Sequence, residues 1–140
     1  MNLPKFKCNK IVGAFEVGVI EGCRISALNN PECYTDVDSE FFRRNQRMNE
    51  PGYIVEYEGG YISWSPKDVF ESGYSPVDTA KERVKLELKE LTEKLDSLEK
   101  FVSSDALNNL SSSQADMLIE QVAVMSRYAE LLKLRLRTWS

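Results

Sequence analysis

Val84, Leu88, Leu91, Leu95, Leu98 and Val102 form one apolar seam near the C-terminus of this chain. Leu118, Val122, Met125, Ala129, Leu132 and Leu136 form a second. Both seams step by alternating fours and threes, the rhythm that gathers apolar side chains on one face of a helix. Only a short polar stretch separates them. The chain is therefore expected to fold back and zip the seams together as a long antiparallel helical hairpin. A rod of this kind, which takes up nearly half of the 140 residues, suits assembly better than it suits an enclosed catalytic pocket.

The rest of the chain is a different material. All seven glycines lie at or before Gly73, and no proline follows Pro76. That break predicts two regions, residues 1–75 and 76–140. In the second region the spacing predicts a helix over about 76–102, a turn over 103–112 and a helix over about 113–138. Ser75-Pro76-Val77-Asp78 reads as a capping box with Pro at the first helical position, and Thr79-Ala80-Lys81-Glu82 repeats the box one turn later. Ser111-Ser112-Ser113-Gln114 caps the second helix in the same way.

In the first region, residues 10–20 mix β-branched, aromatic and apolar side chains between glycines and predict one or two short strands. Residues 36–48 predict a short helix capped at Asp38 or Ser39, with acids first and arginines later. Residues 51–66 predict a hairpin, with Gly59-Gly60 at its turn, Tyr61 to Trp64 as the return strand and Pro66 ending it. Residues 67–72 predict one helical turn. The expected fold class is α+β: a small N-terminal antiparallel sheet with a short helix, then the helical hairpin.

The second helix has more apolar surface than its partner needs. Met117, Val124, Tyr128 and Leu131 form a further stripe, interrupted by Gln121 and ending at Arg135. In an isolated hairpin that stripe stays wet, so it is expected to pack on the sheet or on another copy of the chain. Its burial, at about 25 cal/mol per Å², is worth several kcal/mol and makes an oligomer the expected state.

Composition excludes several functions. There is no histidine, which removes the commonest general base at neutral pH and every triad that depends on one. No G-x-G-x-x-G or P-loop supports nucleotide hydrolysis. Asp36, Asp38 and Glu40 lack the glycine and distal Glu of a calcium hand, so no metal site is expected. The net charge of −4 disfavours tight binding to duplex nucleic acid. No apolar run reaches the roughly 20 residues that cross a bilayer. Cys8, Cys23 and Cys33 are an odd set without metal-ligand spacing. They read as free thiols in a reducing compartment, small and at least half-buried.

Two stretches carry a resemblance. PGYIVEYEGGYISWSPKDVFESGYSP is similar to a segment of small phage-encoded proteins, in which a Gly-containing strand hairpin and Ser-Trp-Ser-Pro lead into a helical hairpin. LEKFVSSDALNNLSSSQADMLIEQVAVMSRYAELLKLRL resembles the hairpin shared by two families of phage anti-defence proteins, the first Thoeris anti-defence family and the anti-CBASS cyclic-nucleotide sponge family. The sheet-bearing N-terminal part makes the chain more similar to the Thoeris family, over roughly residues 5–138.

The resemblance implies a function without a reaction. Such proteins bind a cyclic ADP-ribose-type immune signal, glycocyclic ADP-ribose, and hold it away from its effector in the cytoplasm of the infected bacterial host. It implies homodimers or homohexamers, with cyclic di- or trinucleotides taken up at separate pockets between subunits in some members. No cofactor and no enzymatic activity are expected. It also implies ligand-binding roles for Arg127 and Arg135 on phosphates, for Phe101 on a base, and for Asn108 or Asn109 in the turn. Each has a plainer reading beside it: dipole complementation for the arginines, packing under the turn for Phe101, and ordinary turn chemistry for the asparagines. The turn and the basic end of the second helix lie at opposite ends of one hairpin, so a site that uses both needs a second subunit packed antiparallel. The alternative function is an oligomeric interaction module that binds a host protein and no nucleotide. An enzyme that degrades the signal would have to work through Glu or Tyr in a site that the residues do not assemble.

Overall fold

A computed structural model of the chain describes residues 1–139. The chain divides into two compact units, Met1–Tyr74 and Ser75–Ser140. The first holds strands β1 (Gly13–Glu21), β2 (Arg24–Ala27), β3 (Asn30–Asp36), β4 (Gly52–Glu56) and β5 (Ile62–Pro66) with helices α1 (Ser39–Arg44) and α2 (Lys67–Gly73). The second holds α3 (Ala80–Val102), a 3₁₀ turn (Asp105–Asn109) and α4 (Ser112–Arg137). The architecture is α+β, as the sequence predicts.

The five strands form one antiparallel sheet in the order β3-β2-β1-β4-β5. Gly59 and Gly60, with φ of 93° and 89°, take the left-handed conformations that turn β4 into β5. The unit's core is Ile25, Phe41, Met48 and Ile54, with Phe15, Val17, Val37, Phe42, Ile62 and Trp64 packed against it. Helix α1 starts where Asp38 accepts a hydrogen bond from the Phe41 amide at 2.9 Å. That cap aims Phe41 into the core.

Gly52 is buried because the Trp64 indole of the neighbouring strand lies where a Cβ would project. Gly52→Ala must displace that indole from the core, and overpacking of this kind costs about 2 kcal/mol. Urea denaturation should show the loss in the sheet unit. An unchanged midpoint would mean that the indole moves aside freely.

Several expectations need correction here. Strands β2 and β3 have no counterpart in the sequence reading. Cys8, Cys23 and Cys33 are all exposed: Cys8 precedes β1, Cys23 lies in the β1–β2 turn and Cys33 lies on the edge strand β3. Tyr61, expected to open the return strand, lies just before β5 and is 60% exposed beside Tyr57, ring centroids 5.9 Å apart. On the β2–β3 hairpin Arg24 pairs with Asp36 through two hydrogen bonds of 2.8 and 3.0 Å and lies over the Tyr34 ring. Hydrogen bonding to Arg24 holds the Asp36 carboxyl below its ordinary range. The contribution of this pair is therefore full above the unfolded carboxylate pKa of about 3.9 and is lost as pH falls through the lower folded value.

In the second unit every residue of both predicted seams is buried or half-buried. Val84, Leu95, Ala129 and Leu132 are the most enclosed. Helix α3 starts at the later of the two capping boxes: Thr79 accepts from the Glu82 amide at 3.1 Å, and Glu82 accepts from the Thr79 amide at 2.9 Å. The Pro76 box is passed over because only Thr79 is followed by a Glu that can reach back. Ser111 caps α4 through the Gln114 amide. At 1.5 Å per residue the helices are about 35 and 39 Å long.

Candidate functional site

The hairpin sets its candidate ligand residues along its full length. Phe101 lies in the last turn of α3 and is 36% exposed. Asn108 and Asn109 are exposed in the 3₁₀ turn. These three share the closed end of the hairpin. Arg127 lies 15 residues into α4, about 22 Å from its start, and Arg135 sits in its final turn. One chain therefore does not bring the turn residues and the arginines together. Arg127 pairs with Glu130 at 3.3 Å, both side chains 68% exposed. An exposed pair one helical turn apart is worth little, so the guanidinium is available to a ligand at small cost.

The second stripe of α4 is open. Met117, Val124, Tyr128 and Leu131 are 50%, 62%, 41% and 41% exposed. Tyr128 is tied down at its tip, where its hydroxyl donates to Glu87 of α3. That bond orients the ring along the edge of the hairpin. Helix α4 is also polarised: Asp116 and Glu120 lie in its first half, and Arg127, Lys133, Arg135 and Arg137 against the single Glu130 in its second.

At the hairpin's open end, Leu88 of α3 and Leu136, Lys133, Arg137 and Glu130 of α4 line a groove of about 400 Å³. The sequence predicts a basic end for the second helix, to which Lys133 and Arg137 belong, without singling out either. The signal that could have singled them out is their spacing of four, which sets both on the face beside the Leu132–Leu136 seam. Among the described residues no group of three His, Cys, Asp or Glu side chains is placed to hold a metal ion. No described helix is long and apolar enough to cross a membrane.

In the sheet unit, Tyr53 of β4, Phe70 of α2 and Tyr74 stack in sequence, centroids 4.3 and 4.7 Å apart. Burial and then the nearby Glu71 and Glu16 raise the Tyr53 phenol pKa, so it stays protonated at neutral pH. The stack fastens α2 to the sheet.

No curated protein matches this chain, and no solved structure does. Residues 78–138, under half of the chain but the whole hairpin from the Thr79 cap to the end of α4, match the model of a family described as Sequestin.

Proposed function

We propose that this protein sequesters a small signalling nucleotide of the cyclic ADP-ribose type, glycocyclic ADP-ribose, without altering it. By doing so it blocks activation of a Thoeris effector in the cytoplasm of a phage-infected bacterium. The observation that carries this reading is the match of the hairpin, residues 78–138, to a family whose description denotes sequestration. The residue chemistry is compatible: arginines for phosphates, an aromatic face for a base, and no histidine for a reaction. The protein acts as a binder and not as an enzyme. Isothermal titration with glycocyclic ADP-ribose isomers, then heat release and chromatography of the ligand, tests it. Tight binding with the ligand recovered intact is the expected result. A converted ligand, or no heat with any isomer, overturns it.

Arg127 is assigned to the ligand phosphates. Arg127→Ala should weaken binding at least tenfold and change the melting temperature by less than about 2 °C, because an exposed i,i+3 pair contributes under about 0.5 kcal/mol. A large drop in melting temperature would make Arg127 structural.

The reading includes self-association through the α4 stripe. Two copies of α4 packed antiparallel about Val124 set Met117 of each against Leu131 of the other. The same arrangement brings the acidic half of one helix beside the basic half of its partner, which favours this orientation over the parallel one. It also brings the turn residues of one copy toward the arginines of the next. Val124→Glu should leave the hairpin's helical signal intact and shift sedimentation to the monomer. An oligomer that survives the change would exclude this seam.

A further inference from the structure

The groove at the open end of the hairpin includes none of the residues assigned to the cyclic ligand, and its chemistry is complete within one chain. Leu88 and Leu136 supply an apolar floor, and Lys133 and Arg137 stand one helical turn apart at its side. Among the described residues neither cation has an ion-pair or side-chain hydrogen-bond partner. Glu130, the one carboxylate in the lining, is engaged by Arg127 at 3.3 Å. Like charges at a spacing of four repel on a helix surface. An anion held between them relieves that repulsion. Cations near a helix C-terminus also complement its dipole, which accounts for their charge but not for the open apolar floor next to them. A volume of about 400 Å³ falls within the range of small-molecule sites, which join apolar walls to a few placed polar groups.

The geometry points to a binding site for a nucleoside diphosphate in this groove, with its phosphates between Lys133 and Arg137 and its base against Leu88 and Leu136. The paired cations select a ligand with two adjacent anionic groups. The leucine floor selects one with a flat apolar body. The site is independent of the sequestration reading: it uses neither Arg127 nor the turn residues, and it is tested with a linear nucleotide.

The experiment is a titration of the full chain with ADP, adenosine and inorganic pyrophosphate, followed by leucine-methyl NMR. ADP should shift the Leu88 and Leu136 methyl signals and bind at least tenfold more tightly than either fragment. Lys133→Gln with Arg137→Gln, both at exposed positions, should weaken ADP at least tenfold at unchanged melting temperature. Lys100→Gln, an exposed change at the closed end of the hairpin, should leave ADP affinity within twofold. Pyrophosphate binding as tightly as ADP, methyl shifts confined to other leucines, or an equal loss of ADP in Lys100→Gln would each overturn the site. Wild-type methyl shifts decide the location even if the double variant folds poorly. Failure here leaves binding of the cyclic signal untouched, and failure of the cyclic signal to bind leaves this site standing.

Discussion

Leu132→Glu should abolish the stable hairpin. Leu132 is 1% exposed and sits in the seam between α3 and α4, opposite the first half of α3. A glutamate there either buries a carboxylate among leucines or forces the helices apart. Either outcome costs more than about 4 kcal/mol, a large share of what a small domain has. Circular dichroism at 222 nm during heating reads the effect directly. The matched control is Ile119→Glu on the same helix, at a position 52% exposed. It should change stability by no more than about 0.5 kcal/mol. Equal effects of the two changes would mean that the seam is not what holds α3 to α4.

Gly18→Ala should damage the sheet unit more than its exposed position suggests. Gly18 sits at the irregularity between the Val17–Ala27 and Val19–Ser26 pairs of β1 and β2. A Cβ on it would lie 2.5 Å from the Leu28 Cα and 2.9 Å from the Ala27 oxygen and the Leu28 nitrogen. These are backbone atoms and cannot rotate away as a side chain can. Relief requires β1 and β2 to part, which breaks the Leu28 amide bond to the Glu16 carbonyl at 2.8 Å and loosens Ile25 in the core. The expected loss is about 3 kcal/mol. It should appear as an earlier transition in Trp64 fluorescence while the helical signal of the hairpin persists. A variant as stable as the wild type would show that the strands shift at no cost.

Both changes concern packing, and they sort what could be read in advance from what could not. The hairpin was legible because its code is local. Twelve apolar residues at spacings of three and four define a face, a polar stretch interrupts them, and a cap stands at each start. Even the choice between two capping boxes turns on one residue, Glu82, three positions after Thr79. The β4–β5 hairpin was legible for the same reason, since Gly59-Gly60 states its turn.

Strands β2 and β3 were not. Their side chains are mostly exposed, so no period of two marks a buried face, and Pro31 stands inside β3 where a central strand would not tolerate it. They exist because β1 offers a pairing edge, and Ile25 alone anchors them in the core. The exposure of Cys33 follows from its place on that unread edge strand.

The candidate ligand residues divide in the same way. Residue type and position along the helices placed Phe101, Asn108 and Asn109 at the closed end and Arg127 and Arg135 far along α4, because rise per residue sets distance along a rod. The groove of Leu88, Leu136, Lys133 and Arg137 needed α3 and α4 in register, and register is a property of the pair. The sequence by itself determined the rod, its caps and the apolar stripe beside its seam, all consequences of periodicities within a turn or two of chain. Only the tertiary structure decided the strand order, the backbone crowding at Gly18, the tie from Tyr128 to Glu87 and the groove. Each of these depends on residues distant in sequence, brought together by the net of many weak contacts, and no local pattern encodes that sum.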